Sequence, residues 1–312
     1  MKPKHSSVLD QIFKMLTAGA ALLVLGLAGL ILYQLIVQSW TSIKEFGLGF
    51  LTSDVWDPVF NEYGALPFIY GTVASSLIAL LIAVPLSLGV AIFLSEIAPV
   101  RIRKIVGFFV EVLASIPSVI YGLWGVFVLI PLIRRVQPAV QSLLGFIPLF
   151  QGPPFGYSLI AAGIILAIMI IPTITSLSRD ALNAVPNHQR EASLALGATR
   201  WETIRRVVLP YNKSGIIAAV MLGLGRALGE TMAVTMVIGN HPQINLSLFM
   251  PAQTMASLIA NEFSEATDAI HLSALVEIGL ILFLVTFTLN IIARLVDCVK
   301  YSSQFSIGIP QD

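Results

Sequence analysis

Charge is scarce in this sequence. Only 11% of its 312 residues are Asp, Glu, Lys or Arg, against roughly 25% in ordinary soluble domains. So few charges cannot clothe a water-facing surface, so most of the chain must meet lipid or other apolar protein. The net charge of +1 excludes a nucleic-acid-binding face held by phosphate attraction. The single cysteine, Cys298, excludes an internal disulfide framework and a Cys-built zinc site. It reads as a small buried hydrophobe. His5, His188, His241 and His271 show no metal-ligand spacing. There is no Gly-Lys pair, hence no phosphate-cradling loop of the kind an ATPase needs. The chain is therefore read as non-catalytic, with no cofactor of its own.

What the chain has in abundance is apolar length. Residues of the AVILMFWYC set make up 56% of it, and mean hydropathy is +0.88. A spanning helix needs about 20 mostly apolar residues. Six stretches qualify, near 16–39, 68–94, 105–131, 157–178, 214–238 and 272–293. They predict an all-α integral membrane protein, one transmembrane domain over 1–312, with a polar loop at 179–210. Lys and Arg set the orientation. Fourteen of the eighteen fall on the side of the termini and of loop 179–210, and three, Lys44, Arg134 and Arg135, on the other. Both termini are thereby placed in the cytoplasm. The outer segments 40–67, 134–156 and 239–271 are rich in Pro, Gly and acids. They read as ordered loops with short helices, which either receive a soluble partner or only cap the bundle.

The loop from Arg179 to Pro210 is the most informative segment. Leu194, Ala195, Gly197, Ala198, Trp201, Ile204 and Val208 recur at spacings of three and four, which suits an amphipathic helix. Gly197 interrupts it, so two short helices meeting there are expected. Pro210 is expected to end the segment. The apolar face must be buried on the membrane interface or in a groove of a soluble protein. Arg200, Arg205 and Arg206 suit either.

Charges inside the spans are costly and need a partner or a watered path. Arg226 and Glu230 are spaced i, i+4 in the fifth span, which places them on one helix face. Gly225 and Gly229 beside them would admit a second backbone closely. Two readings stand: a salt bridge that staples the bundle, or an anion site in which Arg226 forks onto a tetrahedral oxyanion. In the second, Glu230 holds Arg226 or accepts the proton of hydrogen phosphate, which sulfate lacks at neutral pH. Glu111 lies before Ser115 and Pro117 in the third span; it reads as a partner for a basic residue across a dimer or as a deep hydrogen-bonding acid. Thr231 and Ser115 are candidate hydroxyl donors to the anion, or simply bond helix carbonyls. Glu277 reads as an interface residue near the outer end of the sixth span, and Glu96 as the mate of Arg101 or Arg103.

Glu191, Ala192, Gly197, Leu209 and Pro210 resemble, at matching spacing, the EAA motif of ABC importer permeases. Ser193 and Val207 depart from it by small changes of size. Gly225 to Val234 and Ser115 to Gly122 resemble the signatures of phosphate-specific permeases. Trp56 to Pro58, Tyr63 to Pro67 and Gly71-Thr72 resemble the PstC-type subunit rather than its PstA-type partner. The resemblance covers residues 15–300 and implies a type I ABC importer permease fold in the bacterial plasma (inner) membrane. It implies a heterodimer with a PstA-type subunit, an ABC ATPase dimer carrying the ATP and Mg, and a periplasmic or lipid-anchored phosphate-binding protein. Membrane lipid surrounds the whole. In such permeases the loop carrying Glu191, Ala192, Gly197, Ala198, Arg200 and Trp201 forms a coupling helix in a cleft of the ATPase. The alternatives are a permease for another oxyanion, sulfate or molybdate, and an ion-gradient-driven secondary transporter. The second leaves the Gly197-centred motif unexplained.

Overall fold

A computed structural model describes the backbone of residues 8–305 and the side chains of 10–292. Cys298 therefore lies outside the described side chains. Helix α1 (Val8–Phe46) leads by way of α2 (Gly49–Thr52) into a small hairpin, β1 (Trp56–Asp57) against β2 (Glu62–Tyr63). There follow α3 (Leu66–Ile92), α4 (Val100–Ser115), α5 (Ser118–Trp124), α6 (Ile130–Leu144) and α7 (Leu159–Asn183). The segment after α7 holds α8 (Asn187–Ala195), α9 (Arg200–Thr203) and α10 (Leu209–Tyr211). The chain closes with α11 (Lys213–Leu228), α12 (Met232–Ile238), α13 (Met255–Glu262) and α14 (Ala269–Phe305).

Helix α7 is the hub, with α3 and α11 packed along it. Its first half, Leu159–Pro172, is wholly apolar, as a largely buried stretch of helix should be. Helix α3 meets it through small buried residues, Ser75, Ser76, Ala79, Ala83 and Ser87, which let two backbones approach closely. Ser87 Oγ donates to the Ile171 carbonyl, 3.2 Å away. At the end of the bundle that carries the hairpin a second core gathers Phe50, Tyr63, Phe68, Met255, Leu258 and Leu275. A third joins Ala91, Leu182, Val185 and Val208 and so seats the end of the α8–α10 segment.

The third span departs from its expected bounds. The run 105–131 straddles Pro117, and the helix breaks there into α4 and a continuous helix over Ser118–Leu144. Arg134 and Arg135 thus sit on α6 rather than in an outer loop. Arg134, Gln137 and Gln141 strap the following loop to α6. Arg134 Nε donates to the Phe155 carbonyl at 2.6 Å. Gln137 Nε2 reaches the Gly152 and Pro153 carbonyls at 3.2 and 3.1 Å, and Gln141 Nε2 reaches Gly152 at 2.6 Å.

The fifth span is also not one straight helix. Arg200–Tyr211 and Lys213–Leu228 meet at a 71° bend, and α11 stops at Leu228 before α12 begins. The bend falls at Asn212, not at Pro210. A widened turn at Ile204–Val208 carries the helix into Leu209 and Pro210, and such turns relieve the ladder around a proline. Asn212 Nδ2 donates to the Ala181 carbonyl and so ties the bend to α7. Along α1, residues 10–31 are exposed throughout. Its far end is held by α14, where Ser42 N donates to Ser273 Oγ at 3.1 Å and Ser273 Oγ donates to the Gln38 carbonyl at 2.8 Å. Glu277 is buried against this pair, its Oε2 without a hydrogen-bond partner, so it is not on the chain's surface.

Candidate functional site

The candidate residues fall in two regions: the interruption of the fifth span and the α8–α9 helix pair. At the interruption, the α11 helix ends on Gly229, whose N–H donates to the Gly225 carbonyl at 3.3 Å. Glu230 and Thr231 are not helical, and the chain re-enters helix at Met232. Arg226 and Glu230 therefore do not share a helix face, and no ion pair joins them among the described residues. Arg226 Nη1 donates instead to Thr173 Oγ1, 3.1 Å away. Thr173 follows Pro172 on α7. Glu230 Oε1 accepts from the Ala233 N–H at 3.3 Å, which caps the start of α12.

The small-residue face at Gly225 and Gly229 is open in this chain. A Cβ at Gly225 would meet nothing within 4 Å. Gly122 is the opposite case: a Cβ there would lie 3.1 Å from Ala233 Cα and 2.6 Å from Met236 Sδ. The two signature stretches, Ser115 to Gly122 and Gly225 to Val234, thus meet at a seam only glycine allows. Tyr121 Oη bridges the Pro117 break by donating to the Leu113 carbonyl at 2.8 Å.

Ser115 and Thr231 both spend their hydroxyl protons on nearby carbonyls, Val112 at 2.8 Å and Gly229 at 3.2 Å. Glu111 is exposed, its side chain 66% accessible, and lies 3.8 Å from Arg179 Nη2 of the same chain. It is neither a deep acid nor free of an intrachain cation.

In the α8–α10 segment two helices meet at Gly197, whose φ of +85° suits a residue without a Cβ. Thr199 and Glu202 form a reciprocal capping box that starts α9. Those hydrogen bonds, first from the Thr199 backbone N–H and then from its hydroxyl, hold the Glu202 carboxyl below its ordinary pKa. Leu194, Leu196 and Trp201 are exposed, Leu196 to 90%. Glu191, Ala192, Gly197 and Arg200 are exposed beside them and Ala198 is half-buried. The segment thus presents an apolar tip rimmed by charge.

Below the tip lies an ion pair that local spacing did not reveal. Arg190 Nη2 is 2.7 Å from Glu96 Oε1, and Arg190 Nε reaches both carboxylate oxygens. Arg190 also donates to the Leu182 carbonyl at 2.9 Å. Both side chains are largely buried. Arg103 instead donates to the Ser95 carbonyl at 3.1 Å.

The end that carries the β-hairpin is locked by a second cluster. Trp56 Nε1 donates to Glu262 Oε2 at 2.9 Å, and His271 Nε2 is 3.1 Å from the same oxygen. The Tyr63 ring stacks on His271 with centroids 5.5 Å apart. Burial, then the charges of Asp268, Glu262 and Asp57, raises the Tyr63 pKa.

Comparison with known proteins places this geometry. Residues 83–298 match the family model of the binding-protein-dependent transport system inner membrane component. The chain is 51% identical to the phosphate transport system permease protein PstC of Mesorhizobium japonicum, over 93% of this chain and 90% of that one. It is 49% identical to the PstC of Haemophilus influenzae, over 92% of both. It is 39% identical to PstC 2 of Mycobacterium tuberculosis, over 91% of this chain and 90% of that one. The chain belongs to the PstC permease family. Two solved importers share its fold. One is the inward-facing MetNI methionine ABC transporter (TM-score 0.55, 20% identity, 78% of this chain and 99% of that one). The other is a bacterial ABC transporter that imports the acidic polysaccharide alginate (TM-score 0.57, 18% identity, 91% of this chain and 98% of that one). The fold is therefore that of ABC importer permeases, with several helices long and apolar enough to cross a membrane.

Within that fold, sequence reasoning singled out Arg226 and missed Thr173. The adjoining Pro172 was the available signal, because a proline inside a span frees backbone and invites a polar neighbour. Arg190 sits immediately before Glu191 and was read only as a loop charge.

Proposed function

We propose that this chain is the PstC-type half of a permease that carries inorganic phosphate inward across the plasma membrane. The observation that carries the reading is Arg226: a half-buried intramembrane cation beside an interrupted span, held by a neutral hydroxyl and paired with no carboxylate among the described residues. A staple needs its carboxylate mate. An anion site needs a cation left unneutralised. The guanidinium fork matches two oxygens of a tetrahedral oxyanion. Glu230, one step beyond the helix end, is an acceptor for the proton that hydrogen phosphate retains. The names of the relatives support phosphate over sulfate or molybdate.

The cycle is alternating access. A phosphate-binding protein docks on outer segments 40–67 and 239–271. ATP closes a separate ATPase dimer under the apolar tip at Leu194, Leu196 and Trp201, a helix-in-groove contact. The motion passes through Arg190 and Asn212 into α7 and α11 and opens the path outward. Phosphate moves to Arg226 and to a matching cation on a PstA-type subunit, which packs against the open Gly225 face. Hydrolysis resets the path inward. Both termini lie in the cytoplasm in this arrangement.

The test is ATP-dependent uptake of labelled phosphate into proteoliposomes holding the co-purified complex and its binding protein, with sulfate as competitor. Uptake that resists sulfate and collapses in Arg226→Gln, with assembly intact, supports the site. Uptake that persists in the mutant reduces Arg226 to a structural residue. Uptake without ATP overturns the ABC mechanism.

A further inference from the structure

A second arginine lies at the other end of α12. A cavity of about 390 Å³ is lined there by Arg134, Tyr157, Thr235 and Asn240, among others. Arg134 uses Nε to hold the Phe155 carbonyl, and its guanidinium carbon lies 5.9 Å from the centre of the Tyr157 ring. No carboxylate pairs with Arg134 among the described residues. The loop it touches is already strapped by Gln137 and Gln141, so a strap alone does not call for a guanidinium whose two terminal nitrogens are left over.

Two features mark Asn240. Its backbone is left-handed, with φ +48°, a conformation that asparagine tolerates better than most side chains and that is common just past a helix end. Its Nδ2 donates to the Thr235 carbonyl at 2.9 Å. That carbonyl can only accept, which fixes the orientation of the amide. Asn240 Oδ1 is then left buried with no hydrogen-bond partner. Such an orphan acceptor calls for a donor from elsewhere.

We infer that this cavity is an outer staging site for a protonated tetrahedral oxyanion, taken up from outside before it reaches Arg226. The inference rests on the phosphate reading above and deepens it. Arg134 supplies the charge-assisted donors. Asn240 Oδ1 accepts the proton that hydrogen phosphate carries and sulfate lacks. The two sites are the two ends of one short helix: α12 has seven residues, or about 10 Å at 1.5 Å per residue. Thr231 and Thr235 lie one turn apart along it, with Thr235 Oγ1 donating to the Thr231 carbonyl at 2.8 Å. Both hydroxyls already donate to backbone carbonyls, so the two arginines, one toward each end of α12, are what draw the anion along.

The test uses the whole complex with its binding protein in proteoliposomes. The readout is labelled phosphate moved per ATP hydrolysed, with and without competing sulfate. Arg134→Gln and Asn240→Gly are compared with wild type; glycine keeps the left-handed backbone and removes only the amide. The expected result is a fall of about tenfold in the ratio for each, the size of one lost charge-assisted hydrogen bond. Asn240→Gly should also weaken the preference for phosphate over sulfate. An unchanged ratio in Asn240→Gly overturns the staging site, whether or not Arg134→Gln assembles. A lowered ratio in Asn240→Gly with sulfate preference untouched also overturns it. Wild type that moves no phosphate would sink the parent reading instead, and the two failures are distinct.

Discussion

The guanidinium of Arg226 on α11 and the hydroxyl of Thr173 on α7 are hydrogen-bonded at 3.1 Å across the centre of the bundle. Thr173 accepts there without neutralising the charge. The cation is positioned and kept available.

Thr173→Val tests that relationship. Valine keeps the volume and removes the acceptor. A hydrogen bond to a charged group contributes about 1.5–3 kcal/mol, so phosphate turnover in proteoliposomes should fall about tenfold or more, with assembly unaltered on size exclusion. Thr173→Ser, which restores the hydroxyl, should recover most of it. Equal loss in both would assign the effect to packing.

Glu230→Gln separates cap from charge. The glutamine carbonyl can still accept from the Ala233 N–H, so the start of α12 should survive. What changes is the acceptor offered to the anion's proton. The expected outcome is a reduced phosphate-over-sulfate preference in competition uptake. An unchanged preference would leave Glu230 only its capping role.

The Glu96–Arg190 pair should be intolerant of half-removal. Leaving one buried charge unpaired costs about 3–5 kcal/mol. Glu96→Gln should lower the thermal midpoint of the purified complex and reduce transport per ATP, because Arg190 ties α8 to the end of α7. Full retention of both would show that the pair carries neither load nor motion.

Acidification should loosen the cytoplasmic tip. The Glu202 carboxyl is held below its ordinary pKa by Thr199. The stabilisation it lends is therefore present above the ordinary carboxylate range and is lost as pH falls through the lowered value. The protection factors of the α9 amides, taken against the intrinsic exchange rate at each pH, should fall below about pH 4.5, the ordinary value for such a carboxyl. Thr199→Ala should produce the same loosening at neutral pH, at about 1 kcal/mol for a lost cap, and abolish the pH dependence. Protection that does not change with pH would refute the role of the box.

Much of this was legible because lipid imposes simple rules. Apolar stretches mark α1, α3, α7 and α14, and Gly197 marks the turn between two cytoplasmic helices. Other features escaped for physical reasons. A hydropathy stretch cannot see that Pro117 splits the run 105–131, nor that Arg134 is tolerated on α6 because the Phe155 carbonyl meets it. The i, i+4 spacing of Arg226 and Glu230 assumed an unbroken helix, and the same glycines that made the face small also let it end. The mate of Glu96 lies 94 positions away in sequence, beyond any local pattern.

The widened turn at Gly125–Leu129 also bears on rotational phase. It holds one residue more than an α turn would. Deleting one residue there would let the helix over Ser118–Leu144 close into regular α geometry, a full rotation made with one residue fewer, so the segments on either side would keep their phase. In a stretch of plain α-helix the same deletion would turn everything beyond by about 100°. The Gly122 seam and the carbonyls held by Arg134, Gln137 and Gln141 would therefore both survive a one-residue loss at Gly125–Leu129. The surplus residue is slack, stored between a seam and a strap that each demand a fixed register.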